Sequence, residues 1–243
     1  MNNFQGKLDL LAFGAHPDDV ELCCGGTLLV HIDKGKKAGI IDLTRGESGT
    51  RGTPEIRQKE TEIAAGILGV SARENLCFED GFIANDKAHI VEVIRVIRKY
   101  RPDIVLTDAF SERHPDHSKA AQLVTESCFL AGLRKIETIS DGEKQTVWRP
   151  KAVYNYLQFR MKKPDIIVDI SDHHDKKMEA VKAHRSQLYN PDSNEPQTII
   201  SSRDFLETIT AKARVLGKQI GVKFAEGFTA GRYIGVKDLF DLI

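Results

Sequence analysis

The chain has 243 residues, enough for one large domain or two small ones, and its 35 Lys and Arg side chains balance its 35 Asp and Glu side chains. Zero net charge gives no electrostatic reason to expect nucleic acid or an anionic membrane as a partner. Hydrophobic residues make up 41% of the chain and charged residues 29%, which is typical of a globular protein and excludes an intrinsically disordered one.

The chain shows no sign of export or of membrane insertion. No stretch approaches the roughly 20 apolar residues that a transmembrane helix needs. The first apolar run, 8–15, is interrupted by Asp9 and Gly14 and lacks the cleavage site of a signal peptide. The four cysteines form no C-x-x-C pair, as expected for thiols in a reducing compartment. We therefore expect a cytoplasmic protein.

Apolar runs alternate with helical patterns along the chain. In chain order, the predicted strands are 8–15, 38–43, 75–78, 103–108, 152–158 and 166–170. The predicted helices are 20–34, 55–68, 89–100, 116–133, about 171–184 and 204–220. This alternation predicts an α/β, Rossmann-like fold in which a mostly parallel sheet carries helices on both faces. No shift in composition marks a boundary, so we expect a single domain over 1–243.

Four other segments are predicted to be irregular. The glycine-rich segment 44–53 is interpreted as a mobile rim that closes over a ligand, although an ordinary flexible connection is as good an interpretation. Segment 134–149 is polar and is predicted to be an insertion or an assembly arm, and 185–197 is predicted to be a loop. Segment 223–243 is predicted to be a mixed tail.

Two tetrapeptides stand out because each follows a predicted strand. They are His16-Pro17-Asp18-Asp19 and His114-Pro115-Asp116-His117. Ligands of open α/β sheets bind outside the carboxyl ends of the strands, so two strands far apart in sequence can deliver both tetrapeptides to one crevice. In each, the first and fourth side chains are three residues apart and can converge across one helical turn.

The side chains of the two tetrapeptides suit a catalytic metal site. Two imidazoles and one carboxylate are typical ligands of Zn²⁺ or Fe²⁺, and we predict His16, Asp19 and His117 as the three. Chemistry alone does not force that choice among the available side chains. It leaves Asp18 as a general base acting on water and His114 as an acid or as a stabiliser of an oxyanion.

Three alternatives remain open at this point. Asp18, Asp19 and Asp116 are all placed where acids cap helix N-termini, so either tetrapeptide alone is explained as well by capping. Two histidines and a carboxylate also form the facial triad of a non-haem iron oxygenase. A non-catalytic sugar-binding module on the same sheet is the third alternative, since fold alone does not exclude it.

The two tetrapeptides, with Glu21 after the first, resemble the LmbE-like (PIG-L) zinc-dependent N-acetylglucosaminide deacetylases. The resemblance extends to Gly25-Gly26-Thr27, to the loop 44–49, to Arg57 and to Phe224-Ala225-Glu226-Gly227-Phe228. Relatives often begin that last stretch with tyrosine, so Phe224 keeps the aromatic ring without its hydroxyl. Within the family, the chain is most similar to the bacillithiol-pathway deacetylases, through 11–16, 112–117 and Ser186-Gln187.

The resemblance implies a role for each matching residue. The metal ligands would be His16, Asp19 and His117, with Asp18 as the general base. His114 would stabilise the oxyanion as an imidazolium, oriented by Asp116.

The resemblance also implies contacts to the substrate. Arg57 would bind it, and Glu47 and Asp80 lie where relatives place polar contacts to the sugar. The implied reaction removes acetate from an N-acetylglucosaminide, with N-acetylglucosaminyl-malate expected and another conjugate or an oligosaccharide as the alternative. A malate carboxylate would be bound by one of four arginines, Arg51, Arg57, Arg113 or Arg185. We expect Zn²⁺ with Fe²⁺ as the alternative, a small-molecule partner and a homo-oligomer.

Overall fold

The computed structural model describes residue 4 and residues 6–140 and 142–242. The strands are β1 (Leu10–Gly14), β2 (Ala38–Thr44), β3 (Ala72–Phe78), β4 (Ile104–Thr107), β5 (Ile139–Ser140), β6 (Glu143–Lys144), β7 (Ala152–Tyr156), β8 (Ile166–Asp169) and β9 (Ala225–Ala230). The helices are α1 (Asp19–Asp33), α2 (Pro54–Leu68), α3 (Lys87–Tyr100), α4 (Pro115–Leu130), α5 (His174–Ala183) and α6 (Phe205–Gln219), followed by a 3₁₀ turn at Leu239–Asp241. No helix of this described part is long and apolar enough to cross a membrane.

Seven strands form one sheet in the order β3-β2-β1-β4-β7-β9-β8. The pairs from β3 to β7 are parallel, whereas β9 runs antiparallel to β7 and β8. Strands β5 and β6 form a separate hairpin. The predicted α/β fold with a mostly parallel sheet is confirmed.

The central strand β1 explains why both faces of the sheet are covered. Its five residues are all buried, and successive side chains point to opposite faces. Leu11 and Phe13 pack in the core that contains residues of α3 and α4. Leu10 and Ala12 pack in the opposite core, which contains residues of α1, α2 and α5. The prediction of helices on both faces is therefore confirmed.

The order of the strands reverses between β1 and β4. From β1 the chain proceeds outward through β2 and β3, then returns to the other side of β1 at β4. In doubly wound sheets a crevice opens at such a switch point, outside the carboxyl ends of the two strands. His16 follows β1 and His114 follows β4, so the fold delivers both tetrapeptides to this crevice.

Two irregular segments differ from their predictions. Segment 223–243 contains β9, which lies inside the sheet between β7 and β8 and was wrongly predicted as part of a tail. Segment 134–149 contains the β5–β6 hairpin, and the carbonyls of Leu133 and Ile136 beside it accept hydrogen bonds from the buried Arg98. Its proposed part in assembly stays a prediction.

Candidate metal centre and active site

The turn after β1 contains three of the predicted site residues, His16, Asp18 and Asp19. The His16 backbone N–H donates to Asp19 Oδ2 at 2.8 Å, so the first carboxylate of α1 folds back over the turn. Asp18 lies in this turn with a φ of 140°, a conformation that residues other than glycine adopt at a cost of about 1–3 kcal/mol. Such strain is concentrated at functional sites, which agrees with a functional role for this turn.

The three predicted metal ligands come together. His16 Nδ1 lies 3.3 Å from His117 Nε2, and the two oxygens of Asp19 lie 3.4 Å from the first nitrogen and 3.5 Å from the second. A tetrahedral zinc ion with ligands at about 2.0–2.1 Å separates its ligand atoms by about 3.3–3.4 Å. Each of these three pairs of donor atoms therefore has the spacing of two ligands of one zinc ion, with a different Asp19 oxygen facing each imidazole. We call these three side chains the triangle.

Other donors surround this triangle. The described residues contain three overlapping groups with ligand atoms within 4.8 Å of one another: His16 with His114 and His117, His16 with Asp80 and Asp116, and Asp19 with Asp108 and His117. Geometry alone thus leaves further donors within reach of an ion. The contact of His16 Nε2 with Asp80 Oδ1 is as close as 3.0 Å, so the triangle is selected by the resemblance and not by its spacing.

The buried charge of the site fits a divalent cation. Five carboxyl groups around the crevice are less than 9% exposed: Asp18, Asp19, Asp80, Asp108 and Asp116. Buried charges are stable when they are paired or when they coordinate a metal. Burial and the nearby Asp19 raise the pKa of Asp108 well above its usual value. This surplus of negative charge and the nitrogen and oxygen donors suit Zn²⁺ or Fe²⁺.

Asp108 and Gln158 are site residues that the sequence analysis missed. Gln158 Nε2 donates to Asp108 Oδ1 at 3.0 Å and lies 3.5 Å from Asp19 Oδ1, and the Ala109 N–H donates to Gln158 Oε1 at 3.2 Å. The two residues follow β4 and β7 closely. Their position after the carboxyl ends of neighbouring parallel strands was the signal that could have identified them.

Asp18 is buried beside the triangle and is not one of its corners. Its Oδ2 lies 3.7 Å from Arg57 Nη2, while that guanidinium also donates to the carbonyls of Pro17 at 2.9 Å and Gly46 at 3.2 Å. Burial raises the pKa of Asp18 to about 6, against the opposing effect of Arg57. A carboxyl group whose pKa lies near 6 is suited to accept and return a proton at neutral pH.

His114 is the N-cap residue of α4, and its ring is oriented by the backbone. The Asp116 N–H donates to His114 Nδ1 at 3.3 Å, whereas the Asp116 carboxylate accepts from the Gly81 N–H at 2.7 Å. Burial first, and then His16, lower the pKa of His114 despite the raising effect of Asp116. The surroundings thus favour a neutral imidazole, whereas the sequence predicted an imidazolium. Because Nδ1 accepts, Nε2 carries the proton of that neutral ring.

The three predicted substrate contacts are all buried or engaged with the protein. Arg57 lies beneath the rim segment with its guanidinium on Pro17 and Gly46. The Asp80 carboxylate lies 3.0 Å from His16 Nε2, and Glu47 Oε1 accepts from the Asp80 N–H at 3.1 Å. Their predicted contacts to a sugar stay predictions.

The rim segment is held at both ends, which the prediction of a mobile rim did not include. The Ser48 N–H donates to Asp80 Oδ2 at 2.9 Å. At the other end, the Gly52 N–H donates to Glu195 Oε1 at 3.0 Å and Gln187 Nε2 donates to the Arg51 carbonyl at 2.8 Å. These partners are distant in sequence, so the local glycine content could not indicate them.

Comparison with known proteins places this crevice in a family. The family model for GlcNAc-PI de-N-acetylase, PIG-L, matches residues 11–128. A diacetylchitobiose deacetylase from Thermococcus kodakarensis is 31% identical over 96% of this chain and 87% of that protein. A probable N-acetyl-alpha-D-glucosaminyl L-malate deacetylase 2 from Bacillus anthracis is 27% identical over 71% of this chain and 78% of that protein.

A solved structure shares the fold over nearly the whole chain. The conserved protein TT1542 from Thermus thermophilus superposes with a TM-score of 0.84 and 36% identity, covering 95% of this chain and 98% of that one. Sequence and structural similarity thus extend well beyond the two tetrapeptides. The chain belongs to the PIG-L, or LmbE-like, family.

Proposed function

We propose that this protein hydrolyses the N-acetyl group of an N-acetylglucosamine conjugate with the help of a bound divalent cation, Zn²⁺ in the first place and Fe²⁺ as the alternative. The observation that carries the proposal is the triangle of His16, Asp19 and His117 donors at 3.3–3.5 Å with the separate carboxylate of Asp18 beside it. Two of the relatives named above are deacetylases of N-acetylglucosamine compounds by name, which supports the same reaction.

His16, Asp19 and His117 would hold the cation. When bound, such an ion supplies polarisation of the amide carbonyl and a lowered pKa of water. Asp18 accepts the proton of the attacking water and returns it to the leaving amine, because an amide nitrogen leaves only after protonation. Arg57 keeps the Asp18 carboxylate in place through their 3.7 Å contact.

His114 donates its Nε2–H to the carbonyl oxygen as negative charge develops there. A neutral imidazole can perform this step, so the lowered pKa of His114 is compatible with it.

We expect a His114→Ala variant to lose about 10²–10³-fold in kcat with little change in KM, as on removal of one donor to an oxyanion. Steady-state kinetics would measure both. A His89→Ala variant is the matched control, because His89 lies on α3 and pairs with Asp86. An unchanged kcat for His114→Ala would contradict the role.

The expected conjugate is N-acetylglucosaminyl-malate, as in bacillithiol synthesis. Two of the four candidate arginines are buried and already bonded to the protein. Arg51 donates to the Ser186 carbonyl at 3.0 Å, and Arg57 donates to the Pro17 carbonyl in the turn after β1. Arg113 and Arg185 are exposed. Arg113 directly precedes His114 and therefore best suits a malate carboxylate.

An oligosaccharide is the second candidate, and a specific observation favours it. Phe110 and Phe159 are 44% and 56% exposed. Phe110 directly follows Ala109 and Phe159 directly follows Gln158, and these two preceding residues are joined by a hydrogen bond close to Asp19. Exposed apolar side chains next to a crevice are typical of a binding surface. The flat rings of two phenylalanines can stack on the face of a second sugar. The relative from Thermococcus kodakarensis is a diacetylchitobiose deacetylase by name.

An amine-release assay tests the reaction and the conjugate together. The panel is N-acetylglucosamine, N-acetylglucosaminyl-malate and diacetylchitobiose, each with and without chelator. We expect turnover of at least one conjugate, acetate release without oxygen consumption, and loss of turnover on chelation. A preference for the malate conjugate would support bacillithiol synthesis, and one for the disaccharide would support the second candidate. No acetate release from any of the three by metal-replete protein would contradict the deacetylase. Oxygen consumption would indicate the iron oxygenase instead.

From the sequence we further propose that the chain is a single domain over 1–243, that it acts in the cytoplasm and that it assembles as a homo-oligomer. Light scattering of the purified protein measures the last of these directly, and a monomer at all concentrations would contradict it.

A further inference from the structure

We propose that Lys212 of α6 is a positioning residue of the metal centre, which acts by holding the amide side chain of Gln158 against the carboxylates of Asp19 and Asp108. The proposal rests on the metal-dependent function proposed above. It assigns a role to a lysine that lies far from both tetrapeptides in the sequence.

The side-chain amide of Gln158 has a defined orientation. Its Oε1 accepts from the Ala109 N–H at 3.2 Å. A backbone N–H can only donate, so the amide oxygen must face Ala109 and the NH₂ group is left for the carboxylates. Nε2 donates to Asp108 Oδ1 at 3.0 Å and lies 3.5 Å from Asp19 Oδ1. One amide thus contacts both carboxylates.

Both of these carboxylates belong to the metal centre. Asp19, Asp108 and His117 form one of the groups whose ligand atoms lie within 4.8 Å of one another. The Gln158 amide therefore contacts a ligand whether the ion takes Asp19 alone or both carboxylates. Groups that hydrogen-bond a ligating side chain fix its orientation and tune the affinity for the metal. Gln158 is only 6% exposed, so bulk water has little access to this contact.

Lys212 holds the backbone that carries this amide. Its Nζ donates to the carbonyls of Leu157 and Gln158, each at 2.5 Å. Successive carbonyls of an extended strand point in opposite directions, so two that converge on one ammonium group indicate that the chain turns there. β7 ends at Tyr156, directly before them. The ammonium group therefore fixes the turn from which the Gln158 side chain reaches the carboxylates.

The surroundings of Lys212 favour a positional role over a contribution to stability. Its hydrogen-bond partners in the described part of the chain are both backbone carbonyls, and it forms no ion pair with a described carboxylate. Burial lowers the pKa of Lys212. Because an ammonium group without a carboxylate partner is costly to bury, stability alone does not explain a lysine at this place.

A second anchor holds the same segment further along the chain. The Arg160 N–H donates to Glu112 Oε2 at 2.8 Å, and Glu112 is 7% exposed. Lys212 and Glu112 thus bind the backbone directly before and directly after Phe159. Loss of the ammonium group would release Gln158 without releasing Arg160, so we expect a Lys212 variant to fold.

The test is the zinc affinity of the purified protein, measured by competition with a chromophoric chelator. Gln158→Met keeps the length of the side chain and removes its hydrogen bonds, so we expect it to bind zinc about 10–100-fold more weakly, the usual effect of losing a partner of a metal ligand. Lys212→Met should weaken zinc binding by at least about threefold and by no more than Gln158→Met, because it acts through that residue. The double variant should bind zinc as weakly as Gln158→Met alone, within about twofold, since the effects of two residues in one network are not additive.

Lys218→Met is the matched control. Lys218 lies on the same helix and is exposed. This variant removes the same charge without releasing the backbone after β7, so we expect wild-type zinc affinity. The Tm of every variant is measured beside its zinc affinity, because a merely structural lysine would lower the Tm and leave the zinc affinity of the folded protein unchanged.

The outcomes separate this proposal from the proposed function. Wild-type zinc affinity in Lys212→Met or in Gln158→Met would overturn the positioning role, as would a double variant in which the two losses add. If Lys212→Met does not fold, Lys212→Gln decides, because its shorter amide cannot reach both carbonyls: wild-type zinc affinity there would overturn the role. A wild-type protein that binds neither zinc nor Fe²⁺ would overturn the proposed function as well. One that binds zinc and releases no acetate would overturn the proposed function alone.

Discussion

An Asp18→Asn variant should lose about 10²–10⁴-fold in kcat and still bind its metal ion, because a general acid–base catalyst contributes about that factor. The donor atoms of the triangle belong to His16, Asp19 and His117, so the loss of the Asp18 charge removes none of them. Asparagine has the same shape and tolerates positive φ, so the turn with its φ of 140° should persist. The effect should therefore fall on chemistry alone.

The neighbouring carboxylate gives the sharpest comparison. Asp19→Asn should lose metal and activity together, since both Asp19 oxygens face imidazole nitrogens at 3.4 and 3.5 Å. The measurement is metal content per chain beside kcat for both variants. Asp33→Asn, at the far end of α1 with its side chain 78% exposed, is the control for loss of one charge. A metal-replete Asp18→Asn variant with kcat within tenfold of wild type would disprove the general-base role.

The convergence of the two tetrapeptides was predictable from sequence because it follows from topology. Each lies beyond a strand of a parallel sheet, and parallel strands end at the same edge. The local sequence pattern was therefore enough to predict that His16 and His117 lie in one crevice. The local pattern could not predict the contact between Asp80 and His16 Nε2, because Asp80 reaches His16 from a loop 64 residues further along the chain.

Strand β9 was missed for a related reason. Its sequence is Ala-Glu-Gly-Phe-Thr-Ala, in which alanine, glutamate and glycine all have a low propensity for strands. The charged glutamate is also a residue type that is rarely buried. The structure buries Glu226 against Lys177 Nζ at 2.7 Å and against the N–H groups of Gly26 and Thr27 at 3.0 and 2.7 Å. These partners belong to α5 and α1, up to 200 residues away. A charge that is satisfied only by tertiary contacts leaves no local trace.

Zero net charge also concealed how unevenly the charges are distributed. A buried set of ionisable side chains lies close to the turn that follows β1. Arg73 Nε and Nη2 donate to the two Asp42 oxygens at 2.8 and 2.9 Å, and Arg73 Nη1 donates to Glu21 Oε1. His184 Nε2 lies 3.3 Å from the same Glu21 oxygen. The four side chains come from α1, β2, β3 and the end of α5, and each is less than 9% exposed.

Removal of the central arginine of this set should be strongly destabilising. In an Arg73→Met variant Asp42 and Glu21 would stay buried without their guanidinium, and removing one partner of a buried pair costs about 3–5 kcal/mol. For a chain of this size we expect the Tm to fall by roughly 6–20 °C, since 1 kcal/mol corresponds to about 2–4 °C. Thermal unfolding of the metal-free protein would measure it.

Arg95→Met is the matched control, because Arg95 also pairs with a carboxylate, Glu92 at 2.7 Å, but both side chains are partly exposed at 32% and 45%. Such a pair contributes about 0–1 kcal/mol. Combining Arg73→Met with Asp42→Asn and Glu21→Gln should recover part of the loss, because the uncompensated charges are then gone. A Tm for Arg73→Met equal to that of Arg95→Met would contradict the role of the buried set. Glu21 lies in the first turn of α1, two residues after Asp19 and three after Asp18. The same ion pairs that stabilise the fold therefore also fix the start of the helix that carries Asp19, the proposed metal ligand, directly after Asp18, the proposed general base.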